Sequence, residues 1–366
     1  MMRAVKIVFF MQDTGAIYGA ERATLDLAAG LRAAGEEPVF FLMSEQRLEG
    51  RRSGLSEAIE AQGFAMERFP VAGRFSWGLV RSLRRRFAAV GGEVLHVLGY
   101  KANLHALLAG IRPRVTTVHG WLFRADWKER LYGWIEMFCL RRCDRVIALS
   151  RYYENYLAAR GVKHERLERI PSGLPELPAS FPAVGAGDGV CFGMMGRFSE
   201  EKNHAMFLRA AARVVKDYPA ARFKVAGNGP LEGEVRAMAG ELGLGDAVEF
   251  CGYQGVDDYF AAIDVYVICS KIENLPYSIL EAMARSRPVI GTSVGGIPDL
   301  IQHGDTGYLV AAHDDGALAE AMAKFMVDPG QVEKFGAGGK RKLVNDFGFE
   351  RCIAAHRVLY RGLSIR

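Results

Sequence analysis

The chain has 366 residues, half of them hydrophobic, with 47 Lys and Arg against 42 Asp and Glu. That is more chain than one core usually organises and too apolar for disorder to dominate, so two globular domains are expected. No run reaches the roughly 18 uninterrupted apolar residues of a spanning helix, and the opening MMRAVKIVFF reads as a first buried strand without a signal-peptide cleavage site. Cys139, Cys143, Cys191, Cys251, Cys269 and Cys352 show no CxxC pairing, which points to free thiols in a reducing, cytoplasmic setting. Residues 1–180 carry 27 Lys and Arg against 19 Asp and Glu, a balance of +8, and the remainder 20 against 23, a balance of −3. Such a bias suits nucleic acid, an anionic membrane surface or a phosphorylated substrate alike.

In chain order, VKIVFF, PVFFLM, EVLHVLG, RVTTVHG and RVIALS are short apolar runs alternating with helical patterns such as ERATLDLAAGLRAAG and RYYENYLAARG. This alternation predicts a parallel sheet covered on both faces, whose ligands bind beyond the carboxyl ends of the strands. Residues 171–189 are dense in Pro and Gly without a periodic apolar face and read as a linker. The pattern restarts with VCFGMMG, RFKVAGNG, AVEFCGY, VYVICS, RPVIGTS and GYLVAA, a second α/β domain, and FERCIAAHRVLYRGL closes the chain as a helix.

The most informative segment follows VYVICS: Glu273 and Glu281 stand eight apart, with Asn274-Leu275-Pro276-Tyr277 forming a turn ahead of the helix SILEAMARS. A helix N-terminus there offers unsatisfied N–H groups and a positive dipole end to an anionic diphosphate. A second constellation, Gly196 through Arg197 and Lys202 to Asn203, lies between a strand and a helix and suits phosphate neutralisation without a metal. Gly227-Asn228, Gly252-Tyr253, Gly295-Gly296, His119-Gly120 and the loop holding Gly15 and Gly19 also fall at strand ends. Each alone is explained by a turn; their shared location is what counts.

These residues resemble the retaining glycosyltransferases of family 4, with the GT-B fold, over nearly the whole chain. The resemblance rests on the E-x7-E segment with EAMARSRPVI and GGIPDLIQHGDTGYLV, and on GRFSEEKN, AGNGPLE and GAER. It implies an α/β protein of two Rossmann-like domains facing across a cleft: 1–170 plus the terminal helix 348–366 on the acceptor side, and 190–347 on the nucleotide-sugar side. It further implies that Arg197 and Lys202 contact the donor diphosphate, Glu281 the ribose, and Glu273 the donor sugar. Asn274 to Tyr277 would approach sugar and phosphate with their backbone, His119 would lie beside the transferred sugar, and Gly252 and Tyr253 would line the base pocket. Gly15 and Gly19 would border the cleft, and Gly196, Gly227 and Asn228 would belong to the donor site. Three residues depart from the family pattern: Asn274 where Gly is commonest, Tyr18 where a second Gly is frequent, and Ser172 where Asn is frequent. Added side chains there change how closely backbone approaches the donor.

The expected reaction is sugar transfer from a UDP- or GDP-sugar, a co-substrate with no separate cofactor, to a glycan or lipid-linked acceptor. Stereochemistry would be retained and no metal used, since no Asp-x-Asp motif occurs. The expected setting is cell-surface polysaccharide or glycoconjugate synthesis, in the cytoplasm or peripherally at the inner face of the membrane. Arg81, Arg84, Arg85 and Arg86, and the aromatic stretch from Trp121 to Phe138, suggest an anionic membrane surface, against which stands an ordinary solvated face. The competing readings are a nucleotide-sugar epimerase or hydrolase, a non-enzymatic nucleotide-sugar-binding protein and, on one basic run, a nucleic-acid protein.

Overall fold

A computed structural model describes residues 3–13, 15, 17–45, 53–71, 73, 75–120, 127–175, 178, 181–182 and 189–364. The chain divides into two compact units, Met1–Pro175 with Phe349–Arg366, and Glu176–Gly348.

The first unit is built on seven strands: β1 (Lys6–Asp13), β2 (Glu37–Glu45), β3 (Ala65–Val71), β4 (Val94–Leu98), β5 (Arg114–Val118), β6 (Arg145–Ala148) and β7 (Leu167–Arg169). Their order is β3-β2-β1-β4-β5-β6-β7, and every neighbouring pair is parallel. Continuous apolar runs form the inner strands because helices bury both faces of the sheet: Ile7, Val8, Phe9 and Phe10 are all inaccessible to solvent. The edge strands β3 (AMERFPV) and β7 (LER) carry charged residues and were not expected from the sequence. Phe9 pairs in register with Phe40 and their rings stack at 5.4 Å.

The terminal helix Phe349–Ser364 belongs to this unit, packing on helix Gly19–Ala33 and on β4. Gly30 makes the approach possible, since a Cβ there would collide with Ile353 and Phe349. Glu36, buried at the mouth of β2, accepts from the Val5 amide at 2.8 Å, from Arg357 Nε at 3.0 Å and from Arg361 Nε at 2.8 Å. Burial alone would raise this carboxyl, but the amide and the two guanidiniums outweigh it and hold the pKa below its ordinary value. The helix is thereby pinned to the start of the sheet by charge as well as packing.

The second unit contains β8 (Cys191–Met195), β9 (Arg222–Ala226), β10 (Val248–Gly252), β11 (Val265–Ile268), β12 (Val289–Thr292) and β13 (Gly307–Val310). They form one sheet in the order β10-β9-β8-β11-β12-β13, again with every pair parallel. Its core runs from Phe192, Phe207 and Phe223 to Phe325 and Phe335. The division between the units falls after Pro175, within the stretch expected as linker. The described residues beyond it are strapped to the second unit, because Arg287 Nη2 donates to the Pro182 carbonyl at 3.1 Å and Lys340 Nζ to that of Pro178 at 3.3 Å. Pro and Gly density signalled irregular backbone here, and the two long cations supply the attachment.

Of the six free cysteines, Cys139, Cys143, Cys269 and Cys352 are buried while Cys191 and Cys251 are half-buried. No helix among the described residues is long and apolar enough to cross a membrane.

Candidate functional site

In a parallel sheet the strand order reverses at one point, and the loops on either side of it splay apart to leave a crevice. In the second unit this point lies between β8 and β11. The loop after β8 carries Gly196, Arg197 and Lys202; the loop after β11 carries Glu273 to Pro276 and leads into helix Tyr277–Ala284. The two constellations singled out from sequence therefore flank the crevice.

Side chains and backbone join these loops. Lys202 Nζ forms an ion pair with Glu273 Oε1, to which Ser270 Oγ also donates at 2.8 Å. The Lys271 amide donates to the Glu201 carbonyl at 2.8 Å, and Thr292 Oγ1, at the end of β12, donates to the Ser270 carbonyl at 2.7 Å. Gly295 has φ +54°, and a Cβ there would overlap the Glu273 carbonyl, so the Gly-Gly turn after β12 is what lets the Glu273 segment lie where it does.

The strand ends on the other side are stitched in series. The Gly196 amide donates to the Ala226 carbonyl at 2.9 Å, the Gly227 amide to Gly252 at 2.8 Å, and the Phe198 amide to Asn228 at 2.9 Å. Gly227 has φ +129°, and a Cβ there would run into the Gly196 carbonyl. Gly196, Gly227, Asn228 and Gly252 thus form one continuous rim. Tyr253, next along, is 86% exposed, an aromatic face standing in solvent beside that rim.

Beyond the crevice, Asn274, Leu275, Pro276 and Tyr277 are all buried, and Pro276 is the N-cap of the helix. Tyr277 is therefore the first helical residue, one position earlier than the four-residue turn expected, because proline's fixed φ suits a helix start. Glu281 sits in the second turn, only 5% exposed, and its carbonyl accepts from Arg285 Nη1 at 3.0 Å. Sequence reasoning missed Tyr266 of β11. Its hydroxyl donates to the Met195 carbonyl at 3.1 Å or to Ser278 Oγ at 2.9 Å, tying the end of β8 to the helix start. Burial first, and then the charges of Glu273 and Glu281, push this phenol upward, so both carboxylates act electrostatically on one hydroxyl. A tyrosine inside the apolar run VYVICS was the available signal.

The remaining predicted residues belong to the first unit, where the order reverses between β1 and β4. Gly15 (φ +90°) follows β1, and its amide donates to Asp13 Oδ1 at 3.0 Å, while Ser53 Oγ donates to Asp13 Oδ2 at 2.7 Å. Gly19 opens helix Gly19–Ala33, whose Glu21 carboxylate accepts from the Tyr18 amide at 3.1 Å. His119 follows β5 and lines a cavity of about 20 Å³ with His96, Thr117, Cys352 and His356. Burial pushes His119 and His356 down to about 4 and His96 well below its ordinary value, so all three are neutral at pH 7. His96 shares hydrogen bonds with Tyr360 at 2.6 Å and Thr117 at 2.8 Å. Among the described residues no group of three His, Cys, Asp or Glu could hold a metal ion.

What gathers at the second unit's crevice is a lysine already paired to a carboxylate, an exposed arginine, a helix start and a second, buried carboxylate. Such a set can bind a polyanion at one end and hydroxyl groups at the other. Residues 181–342 match the family described as Glycosyl transferases group 1, and residues 17–176 match Glycosyltransferase Family 4. The chain is 25% identical over 289 residues to an Escherichia coli UDP-Gal:alpha-D-GlcNAc-diphosphoundecaprenol alpha-1,3-galactosyltransferase, covering 72% of each protein. It is 30% identical over 167 residues to the Bacillus anthracis N-acetyl-alpha-D-glucosaminyl L-malate synthase, covering 45% of this chain and 44% of that one. Among solved structures, Anabaena HepE in complex with UDP aligns at TM-score 0.82 with 18% identity, covering 97% of this chain and all of HepE.

The buried imidazoles make stability depend on acid. An unfolded His binds its proton near pH 6.5, whereas His356, and His204 at the head of the helix that follows Lys202, both buried, resist it down to about 4. The folded state is therefore unaffected by these rings' titration above pH 6.5 and loses stability as pH falls toward 4, by up to about 1.4 kcal/mol per pH unit for each proton. The urea midpoint should fall between pH 7 and pH 5, less steeply in His356→Leu. A midpoint independent of pH across that range contradicts the neutral, buried state of these rings.

Proposed function

Because the chain belongs to the group 1, family 4 glycosyltransferases, which take sugars from nucleotide-sugar donors, we propose that it transfers its sugar with retention and without a metal, to a lipid-linked or glycan acceptor. The observation that carries the proposal is the Lys202–Glu273 pair spanning the loops at the β8/β11 reversal. In the reaction the bond from the anomeric carbon to the diphosphate breaks, a bond to the acceptor oxygen forms on the same face, and the leaving phosphate oxygen takes the acceptor's proton. Negative charge grows on the diphosphate as positive charge grows on the sugar. Lys202, Arg197 and the amides opening helix Tyr277–Ala284 meet the former. When phosphate oxygens take Lys202, Glu273 is released from its cation while Ser270 still holds it, free to orient a sugar hydroxyl. Glu281, in a buried second turn, binds the ribose, and the exposed ring of Tyr253 offers a stacking face for the base. The Escherichia coli relative's name, with its UDP-sugar donor and diphosphoundecaprenol acceptor, supports a uridine nucleotide and a lipid-linked acceptor.

The acceptor's presentation follows from the first unit's helical face. Helix Trp77–Ala89 buries Leu79, Val80, Leu83 and Phe87, and turns Trp77 (61% exposed), Arg81, Arg84 and Arg85 outward. Arg86 faces out too, but the Glu67 carboxylate holds it through two bonds of 2.7 and 2.6 Å, which removes it from the basic set. Helix Tyr100–Leu108 packs between this helix and Trp127–Leu140, where Arg130, Leu131 and Trp134 (65%) are exposed. Trp134 stacks on Phe138 at 5.8 Å, with Arg142 over the same ring at 3.6 Å. Residues 121–126 of the expected aromatic stretch lie outside the described residues. Outward tryptophans among arginines fit the headgroup region of an anionic leaflet, and we place the enzyme's work at the cytoplasmic face on that ground.

Lys202→Ala and Arg197→Ala should each lower turnover by about 10²- to 10³-fold, the scale on which loss of one oxyanion-stabilising group acts. Nucleotide release in the presence of acceptor measures this, with EDTA leaving the wild-type rate intact. Near-wild-type turnover in both variants, or a rate that EDTA abolishes and Mn²⁺ restores, contradicts the metal-free diphosphate role. For the membrane face, the protein should co-sediment with anionic but not neutral liposomes and release as salt shortens the Debye length. The Arg81/Arg84/Arg85→Ser variant should sediment less; equal recovery of both proteins in the supernatant throughout removes the membrane reading.

A further inference from the structure

The phosphate loop ends at a residue that none of the roles above employs. His204 opens helix His204–Asp217 immediately after Lys202 and Asn203, and it is 2% exposed. Its ring lies flat on Phe198, centroids 4.5 Å apart and planes 13° from parallel. Phe198 is the hub of the rim: its amide donates to Asn228, and its carbonyl accepts from Leu231 at 3.1 Å. Stacking accounts for a flat ring here but not for the two nitrogens, neither of which has a hydrogen-bond partner among the described residues. A phenylalanine would stack as well without burying unpaired polar atoms, which ordinarily cost free energy.

The backbone around it is also incomplete. Asn203 is the N-cap with φ +57°, in the left-handed region, and gives no side-chain bond to the helix amides. Its amide nitrogen contacts Met206 sulfur at 3.6 Å instead. The start of a 14-residue helix and a buried, unpartnered imidazole thus stand together at the end of the loop that carries Lys202 and Arg197. Burial, with Lys202 next to it, holds the ring neutral, with one N–H to donate and one lone pair to accept.

We infer that His204 is a positioning residue of the phosphate loop, whose imidazole gains a hydrogen-bond partner when a nucleoside diphosphate draws Gly196 to Asn203 around it. The inference rests on the donor reading of this site and deepens it. Part of the affinity then comes from relieving a cost present in the nucleotide-free protein. The same ring lowers the stability of the free unit and strengthens its hold on the diphosphate, a pairing that a purely structural stack does not produce.

The test is His204→Phe, which keeps the stack and the volume and removes both nitrogens, measured by thermal unfolding and by calorimetry with UDP and GDP. The thermal midpoint should stay or rise while affinity falls about tenfold, the factor that 1.4 kcal/mol makes. In turnover the loss should fall on the KM for donor, with kcat held. Unchanged affinity, whatever the midpoint does, overturns the inference. If midpoint and affinity fall together, His204→Gln decides, since it restores donor and acceptor without the ring: recovered affinity supports the role, and a loss equal to that of His204→Phe overturns it. A wild type that binds neither UDP nor GDP removes the donor reading and this inference with it, whereas equal binding by wild type and His204→Phe removes this inference alone.

Discussion

The ion pair between Lys202 and Glu273 is the constraint on which the second unit's site depends. Strand order separates the loops after β8 and β11, and a cation on one must meet a carboxylate on the other for the crevice to have a defined charge pattern. With both side chains partly exposed, at 28% and 12%, the pair contributes modestly to stability. On the proposed donor reading its value lies in exchange, a diphosphate taking the lysine while Ser270 keeps the carboxylate in place. Binding and orientation then become one event.

Around that pair the polar groups are tied by backbone. The Gly196, Gly227 and Gly252 bonds, the Lys271–Glu201 bond and the Thr292–Ser270 bond tie the strand ends to one another. Tyr266 extends the linkage from the end of β8 to the helix that carries Glu281. A site that stabilises developing charge works best when its dipoles are fixed before the reaction, and a rim made of amides and carbonyls meets that condition. In the first unit the equivalent fixing is done by a helix from the far end of the chain, through Glu36 with Arg357 and Arg361, and through Tyr360 on His96.

Most strands and their parallel order were legible because they are short apolar runs followed by a turn signal, and the E-x7-E segment because its spacing brackets a helix start; the edge strands β3 (AMERFPV) and β7 (LER) were not, since charged residues interrupt them and no apolar run marks them. Gly295 was visible only as a turn. That a Cβ there would overlap the Glu273 carbonyl needs the third dimension, as does the fact that Arg86 is spent on Glu67 while Arg81, Arg84 and Arg85 are not. Tyr266 and His204 escaped for the same reason: in an apolar strand and at the head of an amphipathic helix each reads as core, and only hydrogen bonds made or missing set them apart. The end of the first unit also lies five residues beyond the expected 170, since local composition marks irregular backbone but not which core holds it.

The central claim is that Glu281 and Glu273 have separate work, one on a ribose bound alike in ground and transition states, the other on the sugar whose orientation governs reaction. Calorimetry of the nucleoside diphosphate against Glu281→Ala and Glu273→Ala, beside turnover of the same variants, tests it most directly. The account predicts weakened nucleotide binding in Glu281→Ala, and in Glu273→Ala affinity held or raised, since Lys202 no longer has to leave a carboxylate, with turnover lost. Equal losses of affinity in the two variants would contradict it.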